Sequence, residues 1–283
     1  MTRSATAGVM LTFHPPAETE GNLVALLGEV DRVFVVDNSP DGSAREVLSR
    51  FGDDPRVTFL TQDGNVGVAA GFNAGMRRAL TEGYDFVWIF DQDSTVTPGM
   101  LEVLLSVHGA AGPRAGIVGP ALRAEETGFM YNAERGSGWA PREVLISSGA
   151  LFPRGMLEEI GLHDESLFID YVDHDISLRA RRAGWVNLKA FDTVLDHRFG
   201  ASQEARLFGR RVYLSNYSPM RQYYMSRNRL LLLRRFGPGP WFREDVAYNL
   251  KAWIKVLLCE RDRPQKIAAA MRGTRDGISN KAS

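Results

Sequence analysis

A single cysteine, Cys259, stands in 283 residues, which excludes an internal disulfide and any cysteine-built metal centre and fits a reducing compartment. Neither sign of charge is in excess: 34 Lys and Arg balance 34 Asp and Glu, so nothing favours non-specific nucleic-acid binding. Long apolar runs are missing, and Leu230-Leu231-Leu232-Leu233 is far too short to span a bilayer. Residues 1–20 lack the basic start, apolar run and small-residue cleavage site of a signal peptide. These absences lead us to expect a cytoplasmic chain, or one peripheral on the inner face of the membrane. No internal repeat or low-complexity tract is visible. What is present is ordinary for a globular protein: 44% hydrophobic and 24% charged residues, in a length suited to one large domain or one domain with an appendage.

The first two-thirds alternates strand-like and helix-like segments. Gly8 to Phe13 is a short apolar run stopped by His14-Pro15-Pro16. Gly21 to Val30 has helical spacing, and Arg32 to Val36 is β-rich and closes in the turn signal Asp37 to Ser43. Ala44 to Phe51 reads as a helix, Val57 to Leu60 as a strand, Gly71 to Glu82 as a helix, and Asp85 to Phe90 as a strand. This order argues for a mainly parallel, buried sheet covered by helices. Ligands of such sheets bind beyond the carboxyl ends of the strands, and His14, Asp37-Asn38-Ser39, Asn65 and Asp91/Asp93 fall at those ends. Further on, Ile117 to Pro120, Glu143 to Ser147 and Asn187 to Leu195 look like strands, and Tyr171 to Ala183 like a helix.

Several clusters can carry chemistry. Asp91-Gln92-Asp93 sits directly after an apolar strand, where two carboxylates can chelate a hard divalent ion together with phosphate oxygens; Mg²⁺ and Mn²⁺ suit that setting. The plainer reading is a solvated acidic turn. Asp37-Asn38-Ser39 ends another strand; its carboxylate can accept from a base imide N–H or simply shape an Asx-turn. Asn65 to Gly75 carries three glycines and two asparagines around a helix start, where glycines permit close backbone approach and the helix N-terminus offers N–H groups. Phe168 to Asp175 places Asp170, Asp173 and Asp175 at the opening of a helix, more carboxylates than dipole complementarity needs; one can serve as a general base. His197, after Asp196 at a strand end, can complete a metal sphere or be a polar loop residue.

Together these segments resemble the inverting family-two glycosyltransferases of GT-A fold, and among them the bacterial rhamnosyltransferases. The resemblance covers about residues 7–235. It rests on the joint order of Val36-Asp37-Asn38-Ser39, Asn65 through Gly75, Phe90-Asp91-Gln92-Asp93-Ser94, Ile146 to Ala150, Phe168 to Arg182, Asp196 to Gly200 and Tyr223 to Asn228. It implies a GT-A catalytic domain over 1–202 and a helical appendage over 203–283. Thr12, His14, Asp37 and Asn38 would line the nucleotide pocket, with Asp37 reading a pyrimidine; Asn65, Gly67 and Asn73 would approach the nucleotide and its ribose. Asp91 and Gln92 would meet the donor. Asp93, Asp91 and His197 would hold Mg²⁺ or Mn²⁺. Asp173 would be the base, aligned with the last acid of the family's Glu-Asp pair, although Val172 stands where the Glu belongs. Arg179 would lie near the phosphates or the acceptor. The implied reaction moves a sugar, L-rhamnose from dTDP-rhamnose first, UDP-galactofuranose or a UDP-hexose otherwise, to a hydroxyl of a glycan or lipid-linked acceptor in polysaccharide or cell-wall synthesis.

Two other classes compete. A nucleotidyltransferase also uses Asp pairs at strand ends but wants a Gly-rich, basic loop after the first strand, and His14 to Glu18 has neither glycine nor Lys/Arg. A non-catalytic sugar-nucleotide binder is suggested by Val172. In the C-terminal part, Glu244 to Cys259 spaces apolar residues on one helical stripe beside Lys251 and Lys255, and Tyr223 to Phe236 mixes aromatics with arginines. Two helices there either pack on the catalytic domain or on a second copy, or form a surface that meets anionic lipid.

Overall fold

The computed structural model describes residues 5–124, 128, 130, 134–197, 203–207 and 210–279, and of these only the backbone for His197, 203–207 and 210–213. The chain separates into two units: Met1–Phe168 with Val172–His197, and Ile169–Tyr171 with Arg198–Ser283.

The first unit is built on a mixed sheet. Its centre is β1 (Thr6–Thr12), buried at every position. β2 (Arg32–Asp37) and β4 (Phe86–Asp91) flank it in parallel, and β3 (Val57–Thr61) runs parallel to β2. Parallel neighbours require crossovers, and these hold α1 (Thr19–Leu27), α2 (Ser43–Val47) and α3 (Gly67–Thr81). The other half of the sheet is β8 (Ala150–Pro153), antiparallel to β4, then β6 (Ala115–Ala124) and β9 (Val186–His197), which run parallel to each other. Short β5 (Ser94–Thr95) and β7 (Trp139–Pro141) pair antiparallel with β9. The core beneath α3 includes Val9, Phe34, Val36, Phe72, Met76 and Ile89. The mainly parallel, helix-covered sheet read from the sequence is present, with antiparallel strands added on one side.

Two glycines bring α3 close to the sheet. A Cβ at Gly71 would come within 2.5 Å of Leu11, and one at Gly75 within 2.3 Å of Val9. Their spacing of four places both on the sheet-facing side of the helix. The close backbone approach that these glycines permit is, at Gly71 and Gly75, an approach to β1.

Glu143 to Ser147 is not a strand. Leu145 turns into the core, 3% exposed, and its N–H donates to Ser177 Oγ at 3.2 Å. The strand starts later because Gly149 (φ +76°) turns the chain beside β4: its N–H donates to Ile89 O at 2.8 Å, and Trp88 Nε1 donates to its carbonyl at 2.8 Å. α4 (Met100–Ala111) and α5 (Arg154–Ile160) precede α6 (Val172–Arg182).

The second unit holds a hairpin, β10 (Gln203–Leu207) with β11 (Arg210–Leu214), and then α7 (Pro219–Phe236), α8 (Pro240–Cys259) and α9 (Arg263–Ser279). Ser218 caps α7 by accepting from Arg221 N, with Pro219 in the first turn, so the helix begins four residues ahead of Tyr223. α9 is a third helix beyond the two expected. It lies against α7 through glycines: a Cβ at Gly273 would meet Tyr223 O at 2.1 Å, and one at Gly277 would meet Arg227 O at 2.8 Å. Asp245 of α8 ties the unit together, accepting from Arg229 Nε at 2.6 Å, Asn249 Nδ2 at 2.8 Å and the Tyr171 hydroxyl.

Candidate active site

The Asp91-Gln92-Asp93 turn leaves the sheet at the carboxyl end of β4 and is held from several sides. Ser148 Oγ accepts the Asp91 N–H at 3.0 Å and lies 2.8 Å from Ser94 Oγ. Gln92 bonds both backbone groups of Phe13: its Oε1 accepts from Phe13 N at 2.7 Å and its Nε2 donates to Phe13 O at 3.2 Å. Asn22 of α1 donates to Gln92 O at 2.9 Å and accepts from Thr95 Oγ1 at 2.8 Å. Oδ1 of Asp93 is buried. Register sets Ser94 opposite His197 and Thr95 opposite Asp196, so the His197 backbone runs beside this turn; its side chain lies outside the described residues. Asp196 itself is taken by Arg123 through two bonds of 2.6 and 2.7 Å. Among the described residues no three His, Cys, Asp or Glu side chains gather as a metal-holding group. The chemistry of the donor set fits a hard divalent ion only in part: two carboxylates one residue apart, which leave further positions to oxygens of a ligand.

The ends of β1 and β2 form an adjoining corner. Thr12 Oγ1 donates to Val36 O at 3.1 Å, and Thr12 pairs with Asp37 across the ladder. Asp37 is fully buried; one carboxylate oxygen accepts from Ser39 N at 2.9 Å and the other from Ala44 N at 3.1 Å. The Asx-turn role is therefore the one this conformation displays. His14 is exposed with φ +45°, its N–H donating to Ser39 Oγ at 2.8 Å and its Nδ1 3.4 Å from Asp41. Asn38 reaches across to the start of α3, donating to Asn65 Oδ1 at 3.1 Å and accepting from Val66 N at 2.9 Å. Asn65 is exposed and also accepts from Gly67 N at 3.0 Å.

The start of α3 differs from the reading of a helix end open to a ligand. Phe168 O accepts from Val68 N at 2.6 Å and Ala69 N at 3.3 Å, so the protein itself caps these donors. Gly67 (φ +85°) permits the approach: a Cβ there would come within 2.6 Å of the Phe168 ring. Asn73 is 2% exposed, and its amide is engaged with the segment before α6. It donates to His163 O and Glu165 Oε1, both at 2.9 Å, and accepts from His163 N at 2.9 Å. Asn73 thus fixes that segment to α3 and does not face the strand ends.

The three carboxylates before and within α6 part ways. Asp175 is fully buried and accepts from Arg179 Nε at 2.7 Å. Arg179 spends its remaining donors on the carbonyls of Ile160 and Leu162, each at 2.6 Å, so it anchors α6 instead of pointing at a phosphate. Asp170 belongs to the second unit, where it pairs with Arg221 through Nε at 3.1 Å. Among the described residues the Asp173 carboxylate is bonded to its neighbour: His174 N donates at 2.9 Å and His174 Nδ1 lies at 3.0 Å. Burial raises the Asp173 carboxyl, but the charge and hydrogen bonds of His174 outweigh it and hold the group below the ordinary Asp value. Asp173 also follows Phe168 by five residues, and Phe168 is bonded to α3 at the carboxyl edge of the sheet.

Three positions escaped the sequence reading as site supports. Ser148 lies in the Ile146 to Ala150 segment of the resemblance but has no role assigned there, and Asn22 carries no motif; only the fold sets them against the acidic turn. His163 is buried, its Nε2 without a hydrogen-bond partner. Its pKa is pushed down to about 3, by burial first and Arg179 second, with Asp173 pulling the other way. A fourth signal was backbone strain. Phe168, Asp170 and Tyr171 all have φ of 61–64°, a conformation costly outside glycine and concentrated at functional sites.

An oxygen-rich acidic turn at the carboxyl edge of a helix-covered sheet, adjoining a polar corner, lies where such sheets bind their ligands. Residues 21–161 match Glycosyl transferase family 2. The dTDP-rhamnosyl transferase RfbF of Shigella flexneri is 27% identical over 289 residues, covering 95% of this chain and 94% of the relative. The galactofuranosyltransferase GlfT1 of Mycolicibacterium smegmatis is 27% identical over 275 residues, covering 83% and 89%. The mannosyltransferase PcManGT from Pyrobaculum calidifontis, solved with GDP-Man and Mn²⁺, shares the fold at a TM-score of 0.62 and 16% identity, over 100% of this chain and 77% of that one. Residues 21–161 form a glycosyl transferase family 2 domain, and the chain is a glycosyltransferase of GT-A fold, similar to rhamnosyltransferases.

Proposed function

We propose that the chain is an inverting, metal-dependent transferase that moves L-rhamnose from dTDP-rhamnose to a hydroxyl of a glycan or lipid-linked acceptor. The observation that carries the donor is the likeness to RfbF along nearly the whole of both chains. UDP-galactofuranose is the second reading, favoured by the likeness to GlfT1 over a smaller share of this chain. Divalent-metal dependence draws support from the paired carboxylates and from Mn²⁺ in the fold neighbour PcManGT.

In this reading Thr12, His14, Asn38 and Asn65 bind the nucleotide, and Asp37 shapes the turn that presents Asn38. Gln92, through its two bonds to Phe13, joins the acidic turn to that corner. Asp91 and Asp93 would hold Mg²⁺ or Mn²⁺, with His197 as a further ligand; the ion supplies charge neutralisation at the departing diphosphate. Asp173 accepts the proton of the acceptor hydroxyl as that oxygen bonds to the anomeric carbon. The bond from this carbon to the nucleoside diphosphate breaks, and one displacement inverts the centre. We leave Asn73 and Arg179 out of the donor pocket because their polar groups are committed within the protein.

A thermal-shift screen with Mg²⁺ or Mn²⁺ tests the donor. A ligand at ~100-fold over its Kd adds ~2.7 kcal/mol of stability. dTDP-rhamnose should raise Tm more than UDP-galactofuranose or UDP-glucose, and a shift with UDP-galactofuranose alone replaces the first reading by the second. EDTA should abolish transfer and Mg²⁺ or Mn²⁺ restore it; transfer indifferent to EDTA refutes the metal.

A further inference from the structure

The exposed face shared by α8 and α9 has no role in the proposed transfer. Leu250, Ile254 and Leu258 on α8 and Ile267, Met271 and Ile278 on α9 are 37–67% exposed. Ile267, Met271 and Ile278 line one groove of 780 Å³ together with Trp253 and Leu257 of α8, and Leu250 and Ile254 continue the Leu257 stripe at i−7 and i−3. Contiguous exposed apolar surface of this kind marks an interaction site.

The charge distribution selects the partner. The chain as a whole is neutral, but residues 198–283 carry 18 Lys and Arg against 6 Asp and Glu, which leaves 16 against 28 for residues 1–197. Such asymmetry between parts of a chain points to an anionic surface. Lys251 and Arg272 are exposed beside the two stripes, and Arg275 borders the groove with its side chain 74% exposed. An apolar stripe edged with cations is the pattern of a helix lying in a membrane interface. A second copy joined through the same face would bring these cations together. Among the described residues no helix is long and apolar enough to cross a membrane.

We infer that the α8–α9 face docks on an anionic phospholipid bilayer, with Leu250, Ile254, Met271 and their neighbours entering the headgroup boundary and Lys251, Arg272 and Arg275 meeting lipid phosphates. Each cation near such a surface contributes roughly fivefold to partitioning, an effect that salt screens.

Flotation of the full chain tests this with vesicles of phosphatidylcholine alone or with phosphatidylglycerol as a minor component. The chain should float with the anionic vesicles only, and less as salt rises. Ile254→Glu with Met271→Glu should lower that binding about tenfold or more, because buried apolar area drives insertion. Lys251→Glu with Arg272→Glu should lower it and flatten its salt dependence. Both double variants alter exposed positions, so they should keep the wild-type Tm and transfer to a soluble acceptor. No flotation of the wild type, equal flotation with both vesicles, or binding untouched by either double variant overturns the inference. So does a concentration-dependent dimer lost in the Ile254/Met271 variant, which assigns the face to a second copy. Flotation needs no donor, so its failure and that of the proposed reaction are separable.

Discussion

Asp173→Asn keeps the side chain's shape and removes the proton acceptor. A positioned general base typically contributes ~10²–10⁴-fold, which at ~1.36 kcal/mol per decade is about 3–5 kcal/mol of barrier. The fold should tolerate the change. Among the described residues Asp173 bonds His174, its side chain is 24% exposed, and an Asn oxygen still accepts from His174 N. Asp175→Asn is the control two residues on. It breaks a buried pair with Arg179, which typically costs ~3–5 kcal/mol; Arg179 keeps its bonds to the carbonyls of Ile160 and Leu162, so the low end is expected. The two variants should therefore separate: Asp173→Asn loses kcat at nearly unchanged Tm and donor affinity, whereas Asp175→Asn loses Tm first. Steady-state transfer at saturating donor and acceptor, with a thermal melt of each variant, reads both. The pH profile adds a check. Because Asp173 is held below the ordinary Asp value, it is ionised through the neutral range, and no loss of activity within that range should trace to its protonation. Near-wild-type turnover in Asp173→Asn refutes the assignment, and an acid limb centred near pH ~6 would point to a histidine instead.

Three more perturbations follow from the packing. Ser148→Ala removes two hydrogen bonds at the acidic turn and should cost ~1–3 kcal/mol of stability while raising KM for the donor; a Tm and KM at wild-type values would show that Ser148 does not hold the turn. Gly75→Ala drives a methyl into Val9 and should destabilise by ~1–3 kcal/mol in denaturant melts, whereas Gly109→Ala in α4, where a Cβ meets nothing, should be neutral or stabilising; equal changes in the two would remove the packing argument. His163 is neutral when folded, so the unfolded chain binds a proton first as pH falls below ~6.5. Stability should then drop by about 1.4 kcal/mol per pH unit between ~6 and the folded value of about 3. His163→Gln should flatten that slope, and an unchanged slope in melts across this range would assign it to other groups.

The order of strands and helices through β4 was legible in the sequence because each element carries its own period and each strand ends in a polar turn. Asp91-Gln92-Asp93 was legible for the same reason: two acids directly after a buried apolar strand stand at a strand end wherever that strand sits in the sheet. The false strand at Glu143 to Ser147 shows the limit. Its apolar residues suit a strand locally, but Gly149 turns the chain only because Ile89 and Trp88 wait beside it.

What the sequence by itself determined was a helix-covered, mainly parallel sheet, the acidic turn, and a set of three carboxylates from which to choose a base. Tertiary structure decided how each of the three carboxylates is engaged and what supports the turn. It tied Asp175 to Arg179 and Asp170 to Arg221, and left Asp173 with His174. It turned Asn73, Gly71 and Gly75 toward packing, and it brought Ser148 and Asn22 from distant parts of the chain to grip the turn. The physical reason is range. Periodicity and turn chemistry act over a few residues and can be read along the chain, whereas a hydrogen bond between residues 57 or 70 apart in sequence exists only once the sheet has set its strands side by side.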